Sequence, residues 1–252
     1  MNASFTKKPD ALKALILAGG RGKRLNAVTE EENKCMIVFR GRPLIEYSLE
    51  NAVRLGVEEI VVVVGHLAEQ IINQYGISYQ GTRIRYVIQR EQLGLVHAMA
   101  CGQSAVGGAD FLLFLGDEFF IQPDHETMVR AFREDGIFAV CGVIEAPDLS
   151  LISKTYSILF DANSRMILRL IEKPRNPLNH FMGTGNIVFK NQIFDYIEKT
   201  PINPQRGERE LPDFIQAAID DGKKIIFFEL ASKYVNINTA EDITILNELQ
   251  PS

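Results

Sequence analysis

The sequence predicts an α/β fold with a doubly wound sheet, and two observations lead to that prediction. Short apolar runs alternate with amphipathic helical patterns through the first half of the 252-residue chain. One run, Ile60–Val64, consists only of β-branched residues, which suits a central parallel strand buried on both faces. Strands and helices that alternate at this spacing form right-handed crossovers around a largely parallel sheet.

The elements of the first half follow from these patterns in chain order. A helix is recognised where Pro43 begins an apolar stripe of helical spacing and Gly56 ends it. The predicted strands cover residues 13–18, 59–64, 84–89, 111–115 and 138–143. The predicted helices cover residues 43–55, 67–75, 95–104 and 123–134.

The second half of the chain has a less regular pattern. Two β-type runs joined by a polar turn at 161–164 predict a β-hairpin. The hairpin strands cover 155–160 and 165–171, further strands cover 187–189 and 224–230, and helices cover 191–199, 211–221 and 240–249. The sequence contains no repeat or long linker, so we predict a single domain over residues 1–252.

Composition narrows the class of protein. The chain is 46% hydrophobic and 23% charged, with a net charge of −5, which argues against a nucleic-acid binder. No apolar run is long enough to cross a bilayer, and the polar first ten residues lack a signal-peptide core. The three cysteines are scattered without metal-binding spacing. We therefore expect a cytoplasmic protein with neither nucleic-acid nor membrane partners.

The motif LAGGRGKRL at residues 17–25 begins at the end of the first predicted strand and continues into a glycine-rich turn. Glycines let the backbone approach a ligand, and the clustered basic side chains attract anions. The glycine spacing fits neither the dinucleotide-binding fingerprint nor the P-loop. The turn is therefore either a phosphate-binding site of another kind or a plain turn with solvated basic residues.

Two charged residues could act beside this turn. Asp117 follows a predicted buried strand at the sheet edge where ligands bind, and its carboxylate suits Mg²⁺, although it could instead cap a turn. Lys34 follows three glutamates that could pair with it at the surface. Its position shortly after the glycine-rich turn is what makes it a candidate for contact with phosphate.

The segment that joins a predicted strand to the helix at 95–104 contains Gln89 and Gly94. A glutamine amide offers donors and an acceptor that match a nucleobase edge, and glycine lets the backbone approach that base. An ordinary polar loop is the alternative. His97 falls within the helix, where a packed or capping histidine is more common than a catalytic one.

Glu172 and Lys173 end another predicted strand. The carboxylate could accept hydrogen bonds from sugar hydroxyls, and Pro174 would break the strand and free Lys173 to turn toward a phosphate. The alternative is a surface pair of opposite charges.

Taken together, these segments resemble the sugar-1-phosphate nucleotidyltransferases, the pyrophosphorylases that make nucleotide sugars. The likeness runs from about residue 13 to residue 249. The matching motifs are LAGGRGKRL at 17–25 followed by Lys34, QREQLGLVHAM at 89–99, LGD at 115–117, EKP at 172–174, GTG at 183–185, ERELPD at 208–213 and VNINTAED at 235–242.

The sequence departs from the family pattern at four positions. Asn33 precedes the lysine where the family usually has proline, and Ala27 replaces another proline. Ser157 stands where many relatives have glycine after the tyrosine. Asn236 replaces the usual aspartate of the last motif, which keeps a carbonyl oxygen for Mg²⁺ but removes one negative charge.

The resemblance implies a Rossmann-like mixed sheet, with a nucleotide-binding half at 11–145 and a sugar-phosphate-binding half at 146–252 that includes a small sugar-binding hairpin. It implies Mg²⁺-dependent transfer of a nucleotidyl group from an NTP, with dTTP or UTP favoured, to a hexose 1-phosphate, with glucose 1-phosphate favoured, and release of pyrophosphate. The alternatives are a cytidylyltransferase and a non-catalytic sensor of nucleotides or sugar phosphates. Family members are often homo-oligomers, so the resemblance also allows a homo-oligomer.

The resemblance assigns roles at the positions that match. The catalytic residues it implies are Arg24, Lys34 and Lys173. The nucleotide-binding residues are Leu17, Ala18, Gly19, Gly20, Gly22, Gln89 and Gly94. The sugar-phosphate-binding residues are Tyr156, Glu172, Lys173 and Thr184. The Mg²⁺ ligands are Asp117 and Asn236, with Asn238 as an alternative to Asn236.

Overall fold

A computed structural model describes residues 11–22, 25 and 31–248. Arg24, one of the predicted catalytic residues, lies outside this part of the chain. The strands are β1 (Leu12–Ala18), β2 (Val38–Phe39), β3 (Arg42–Pro43), β4 (Ile60–Val64), β5 (Ser78–Tyr79), β6 (Thr82–Ile88), β7 (Asp110–Leu115), β8 (Glu118–Ile121), β9 (Ile137–Glu145), β10 (Tyr156–Phe160), β11 (Ile167–Glu172), β12 (Phe181–Phe189), β13 (Lys224–Glu229) and β14 (Lys233–Asn236). The α-helices are α1 (Leu44–Arg54), α2 (Ala68–Tyr75), α3 (Leu95–Val106), α4 (His125–Phe132), α5 (Leu149–Ile152), α6 (Leu211–Asp220) and α7 (Ala240–Glu248).

The centre of the main sheet is parallel. Strand β1 pairs with β4 on one side, with Leu15 opposite Val61, and with β7 on the other, with Leu15 opposite Leu113. The chain moves outward from β1 to β4 and β6 and then returns to β7 on the opposite side of β1. In sheets of this kind, such a reversal opens a crevice at the carboxyl ends of the two strands, where ligands bind. The glycine-rich turn and Asp117 follow these two strands directly.

Strand β12 makes the sheet mixed. It runs antiparallel to β7 and β9, and it also pairs with β10 of the hairpin. The predicted doubly wound, mixed α/β sheet is confirmed. The predicted strand 187–189 is only the last third of β12, whose nine residues begin at Phe181. Glycines at 183 and 185 concealed the rest, because glycine is uncommon inside strands.

Helices cover both faces of this sheet. The odd-numbered Leu15 of β1 belongs to an apolar cluster with Met99 of α3 and Phe214 of α6. The even-numbered Ile16 belongs to a second cluster with Leu49 of α1, and with side chains of α2 and α4. This alternation follows from the two-residue period of a strand. Both faces of β1 are thus buried, which holds its carboxyl end rigidly.

A two-stranded antiparallel ribbon of β8 and β14 stands beside the main sheet. Asn236 pairs with Glu118 in this ribbon, and the Ile237 N–H donates to the Asp117 carbonyl at 3.1 Å. A separate apolar cluster with Leu246 of α7 fixes the ribbon in place. Its strands have four residues each, too few to show a clear period in the sequence. The ribbon brings Asn236 next to the end of β7.

Most other predicted elements agree with the structure within a few residues. The predicted helix 191–199 is present but shorter, as a 3₁₀ helix over Asn191–Tyr196. The Asn191 side chain donates to the carbonyls of Gly107 and Ala109, which ties this turn to the end of α3. In the described part of the chain, the helices are too short or too polar to span a membrane.

Candidate functional site

A cavity of about 490 Å³ opens at the carboxyl ends of β1 and β7. The residues singled out from the sequence that line it are Leu17, Gly19, Gly20, Gly22, Gln89, Gly94, Asp117, Tyr156, Glu172, Lys173, Thr184, Asn236 and Asn238. Ala18, also predicted to bind nucleotide, does not line the cavity, because its side chain is buried against the helices on one face of the sheet. Its contact with a nucleotide stays a prediction. Lys34 does not line the cavity itself, but it contacts Asp117, which does.

The glycine-rich turn is held close to Gln89. A Cβ atom on Gly19 would lie 2.8 Å from the Gln89 Oε1, whereas one on Gly20 would meet no atom within 4 Å among the described residues. The Gly19 carbonyl accepts hydrogen bonds from Gln92 Nε2 at 2.9 Å and from the His66 N–H at 3.3 Å. Gly19 is therefore needed for close packing, and Gly20 faces open space at the cavity.

Lys34 begins a 3₁₀ turn, Lys34–Met36, that Asn33 caps. The Asn33 Oδ1 accepts from the Cys35 N–H at 2.9 Å, and its Nδ2 donates to the His66 carbonyl at 2.7 Å. The asparagine found in place of proline thus anchors the turn. Lys34 is largely buried, forms an ion pair with Asp117 and donates to Asn238 Oδ1 at 3.0 Å.

Asp117 and Asn236 offer oxygen atoms at the same end of the cavity. The Asn236 Oδ1 is buried and accepts no hydrogen bond from the residues that the structure describes. A buried carbonyl oxygen without a partner costs free energy unless a ligand satisfies it. The Asn238 Oδ1, by contrast, is used by Lys34. An oxygen donor set of one carboxylate and one amide fits Mg²⁺, which normally completes its shell with water and substrate phosphates.

The described residues include no group of three or more His, Cys, Asp or Glu side chains that could hold a metal by themselves. An ion between Asp117 and Asn236 would therefore depend on phosphate oxygens for much of its coordination.

The sequence analysis did not identify Glu118, the first residue of β8, which directly follows Asp117. Its carboxyl group accepts from the Gly185 N–H at 2.9 Å, from Asn186 Nδ2 at 2.9 Å and from the Tyr234 hydroxyl at 2.6 Å. Burial raises the pKa of Glu118 to about 7, against the lowering effect of the Tyr234 hydrogen bond. A buried acid inside an apolar run, GDEFFI, was the available sequence signal. Glu118 joins the β8–β14 ribbon to β12.

The opposite end of the cavity holds Lys173 and an arginine that the sequence did not single out. Lys173 leaves β11 with a φ of 42°, so its ammonium group folds back to pair with Glu172. Arg206 lies 2.8 Å from a Glu210 carboxylate oxygen and 3.6 Å from one of Glu172. Burial and the neighbouring Glu172 raise the pKa of Glu210. Two cations thus meet a cluster of carboxylates here.

Tyr156 and Thr184 form the wall between these two ends. The Tyr156 hydroxyl donates to the Thr184 carbonyl at 3.0 Å, and the Thr184 hydroxyl donates to the Gly142 carbonyl at 2.9 Å. A Cβ on Gly183 would come within 1.9 Å of the Tyr156 ring. Both hydroxyl protons are already engaged, so direct contact of these side chains with a sugar stays a prediction.

The Gln89 side chain lies between the glycine-rich turn and the start of α3. Gly94, with a φ of 92°, lies so close to Glu208 that a Cβ there would come within 2.7 Å of its carboxylate. The Gln89 Nε2 lies 3.3 Å from the Gly94 carbonyl oxygen and 3.0 Å from the His97 Nδ1. The amide is therefore held on the cavity wall.

The family profile named nucleotidyl transferase matches residues 13–243 of this chain. A UTP–glucose-1-phosphate uridylyltransferase, AglF, of Haloferax volcanii is 34% identical over 232 residues, which are 92% of this chain and 93% of AglF. A glucose-1-phosphate thymidylyltransferase of Streptomyces griseus is 28% identical over 240 residues, 94% of this chain and 66% of that protein. The bifunctional protein GlmU of Methanococcus maripaludis is 30% identical over 216 residues, but these span 48% of its length.

Solved structures show the same fold. A UDP-glucose pyrophosphorylase complexed with UDP-glucose superposes with a TM-score of 0.84 at 22% identity, covering 94% of this chain and 97% of that one. A UDP-glucose pyrophosphorylase from Acinetobacter baumanii gives a TM-score of 0.80 at 21% identity, covering 94% of this chain and 92% of that one. At these identities the likeness establishes the architecture alone.

Proposed function

The chain belongs to the nucleotidyl transferase family, and on that premise we propose that it transfers a nucleotidyl group from UTP or dTTP to a hexose 1-phosphate. Glucose 1-phosphate is the favoured acceptor, and the products are a nucleotide sugar and pyrophosphate. The relatives named for uridylyl or thymidylyl transfer to glucose 1-phosphate support this substrate pair.

One observation supports the proposal most directly. One cavity is lined by the glycine-rich turn, by Asp117, which pairs with Lys34, and by Lys173 and Arg206 with their carboxylate partners. A triphosphate needs backbone N–H groups and positive charge, and a sugar phosphate needs hydroxyl acceptors and a cation. Both sets of groups face one volume of about 490 Å³. The arrangement therefore suits two substrates that react with each other.

The proposed step is an in-line displacement at the α-phosphorus. An oxygen of the sugar phosphate forms a bond to that phosphorus, while the bond to the bridging oxygen of the β-phosphate breaks. The electron pair of the broken bond leaves with pyrophosphate. Such transfers depend chiefly on positioning and charge stabilisation, so no side-chain nucleophile is required.

We assign separate proposed roles to residues in and beside the cavity. The N–H groups of Gly19 and Gly20 would face the triphosphate, and Lys34 would stabilise the charge that develops around the α-phosphate. Lys173 and Arg206 would exchange their carboxylate partners for the phosphate of the sugar, and Glu172 would accept hydrogen bonds from its hydroxyls. Both cationic side chains are exposed at the cavity, so a phosphate could reach them through side-chain movement alone.

Magnesium fits the same site. Asp117 and the Asn236 Oδ1, which accepts no hydrogen bond from the described residues, would hold Mg²⁺. When bound, the ion would supply charge neutralisation for the phosphates. The asparagine makes the site less negative than one with two carboxylates, so phosphate oxygens would contribute more of the binding free energy.

The test is pyrophosphate release from each of UTP, dTTP, CTP and GTP, with glucose 1-phosphate and other hexose 1-phosphates in the presence of Mg²⁺. We expect release with UTP or dTTP and a nucleotide sugar of matching mass. Binding of an NTP without pyrophosphate release from any pair would instead identify a sensor. A preference for CTP would identify a cytidylyltransferase, and a preference for GTP would contradict the proposed base contact with Gln89.

A further inference from the structure

The side-chain amide of Gln89 has a fixed orientation. One atom of its terminal group lies 3.3 Å from the Gly94 carbonyl oxygen, which can only accept a hydrogen bond. That atom must therefore be the nitrogen, Nε2. Gln89 is only 5% exposed, so packing restricts other rotamers of the side chain.

The same nitrogen determines the state of His97. Its Nε2 lies 3.0 Å from the His97 Nδ1 and, as a donor, requires an unprotonated acceptor there. The ring proton must then be on the His97 Nε2, which lies 3.9 Å from the Cys101 sulfur. His97 thus acts as an acceptor toward Gln89, and both N–H bonds of the amide have partners within the protein.

These two contacts leave the Gln89 carbonyl, Oε1, as the atom that faces the ligand. It lies next to Gly19, where a Cβ would come within 2.8 Å of it, and Gln89 lines the cavity beside the glycine-rich turn. In the described part of the chain, no hydrogen bond to this oxygen is present. The wall therefore presents a fixed acceptor, and not a donor, at this point.

We propose that His97 is a positioning residue that makes the base site selective for uracil or thymine over cytosine. The inference rests on the proposed function, which already names UTP or dTTP, and adds the residue that orients Gln89 for this choice of base. Uracil and thymine carry a hydrogen at N3, which can donate to Oε1. Cytosine has an unprotonated N3, so two acceptors would face each other and Oε1 would remain unpaired in a desolvated site.

Without the His97 acceptor, the amide would be free to turn. The Gly94 contact alone is long, at 3.3 Å, and an inverted amide would present Nε2 to the base. An Nε2 donor suits the N3 of cytosine. Loss of His97 should therefore change the relative use of the two classes of base, in addition to any effect on overall rate.

The experiment compares kcat/KM for UTP, dTTP and CTP in the wild-type protein and in His97→Phe, which keeps a ring but removes the acceptor. We expect the ratio of the UTP value to the CTP value to fall roughly three- to tenfold, the effect of one neutral hydrogen bond. A purely structural defect would lower all three values together and leave this ratio unchanged. An unchanged ratio in His97→Phe would overturn the inference.

Two further variants separate the explanations. In His97→Asn, the Oδ1 can occupy the position of the imidazole Nδ1, so we expect the wild-type ratio to be largely restored. Cys101→Ala changes the other neighbour of the ring and should keep the wild-type ratio. If the wild type releases no pyrophosphate with any nucleotide, the proposed function fails. If the wild type is active but prefers CTP, nucleotidyl transfer itself stands, whereas the proposed preference for UTP or dTTP and this inference are both overturned. A wild type that prefers UTP or dTTP, with an unchanged ratio in His97→Phe, overturns this inference alone.

Discussion

The ammonium group of Lys34 is paired with the carboxylate of Asp117 at the carboxyl ends of β1 and β7. The two residues come from different sides of the topological switch point, and the 3₁₀ turn that Asn33 caps holds the lysine in place. Asp117 thus pairs with a lysine and is also one of the two proposed ligands of Mg²⁺. The pair couples the proposed metal site to the proposed site of phosphate chemistry.

Substitution Lys34→Ala should lower kcat by at least about a hundredfold, because the charge stabilisation would be lost where negative charge develops. Pyrophosphate release measures the effect, and circular dichroism should show an intact fold. Lys233→Ala is the matched control, since Lys233 is an exposed lysine on β14, the strand that carries Asn236. Turnover near the wild-type value in Lys34→Ala would reject the role of this lysine.

Asn236 should determine how much Mg²⁺ the reaction requires. Asn236→Ala removes the proposed ligand, so the Mg²⁺ concentration for half-maximal activity should rise at least tenfold. Asn236→Asp restores a negative charge and should lower that concentration. Titration of pyrophosphate release with Mg²⁺ measures both. Equal Mg²⁺ requirements in all three proteins would show that this side chain does not contact the ion.

Gly20 and Gly183 should respond differently to replacement by alanine. Among the described residues, no atom lies within 4 Å of a Cβ placed on Gly20, so Gly20→Ala should shift the thermal unfolding midpoint by less than about 2 °C. Its methyl group would take up space beside the proposed triphosphate, so the KM for the NTP should rise. We expect weaker nucleotide binding at unchanged stability. A wild-type KM in Gly20→Ala would contradict the proposed contact of Gly20 with the triphosphate.

Gly183→Ala is the structural counterpart. Its Cβ would lie 1.9 Å from the Tyr156 ring, so the ring or the β12 backbone must move. Overpacking of this kind costs about 1–3 kcal/mol. We expect a lower unfolding midpoint together with lower activity, measured by thermal denaturation and pyrophosphate release. The pairing of β12 with β9 shifts register between Gly183 and Ile187. An unchanged midpoint would mean that this irregular segment can relax around the added methyl group.

Sequence patterns predicted the parallel centre of the sheet because β1, β4 and β7 are buried on both faces and read as continuous apolar runs. The β8–β14 ribbon could not be predicted in this way, since its strands are short and its apolar partners come from α7. Glycine and charged motifs identified most of the cavity wall. Glu118 and Arg206 escaped notice because their importance comes from contacts with residues distant in sequence.

The pH dependence of stability should reveal His125, which lies behind the cavity. Its Nε2 lies 2.7 Å from the Asn186 Oδ1, and burial lowers the pKa of its ring from 6.5 to about 4. Between these two pH values the unfolded chain binds a proton at this ring that the folded chain does not bind. The free energy of unfolding therefore falls as the pH is lowered through this window, by about 3 kcal/mol from this group.

His125→Gln isolates that contribution, because glutamine can still donate a hydrogen bond to Asn186 but does not titrate. Urea unfolding at a series of pH values from 7 to 4 should show a steeper loss of stability in the wild type than in this variant. His180→Gln, at an exposed histidine, controls for the removal of one imidazole. Parallel curves for the wild type and His125→Gln would mean that the folded protein accommodates a protonated ring at this position. Asn186 also donates a hydrogen bond to Glu118, so such an accommodation at low pH would require this contact to rearrange.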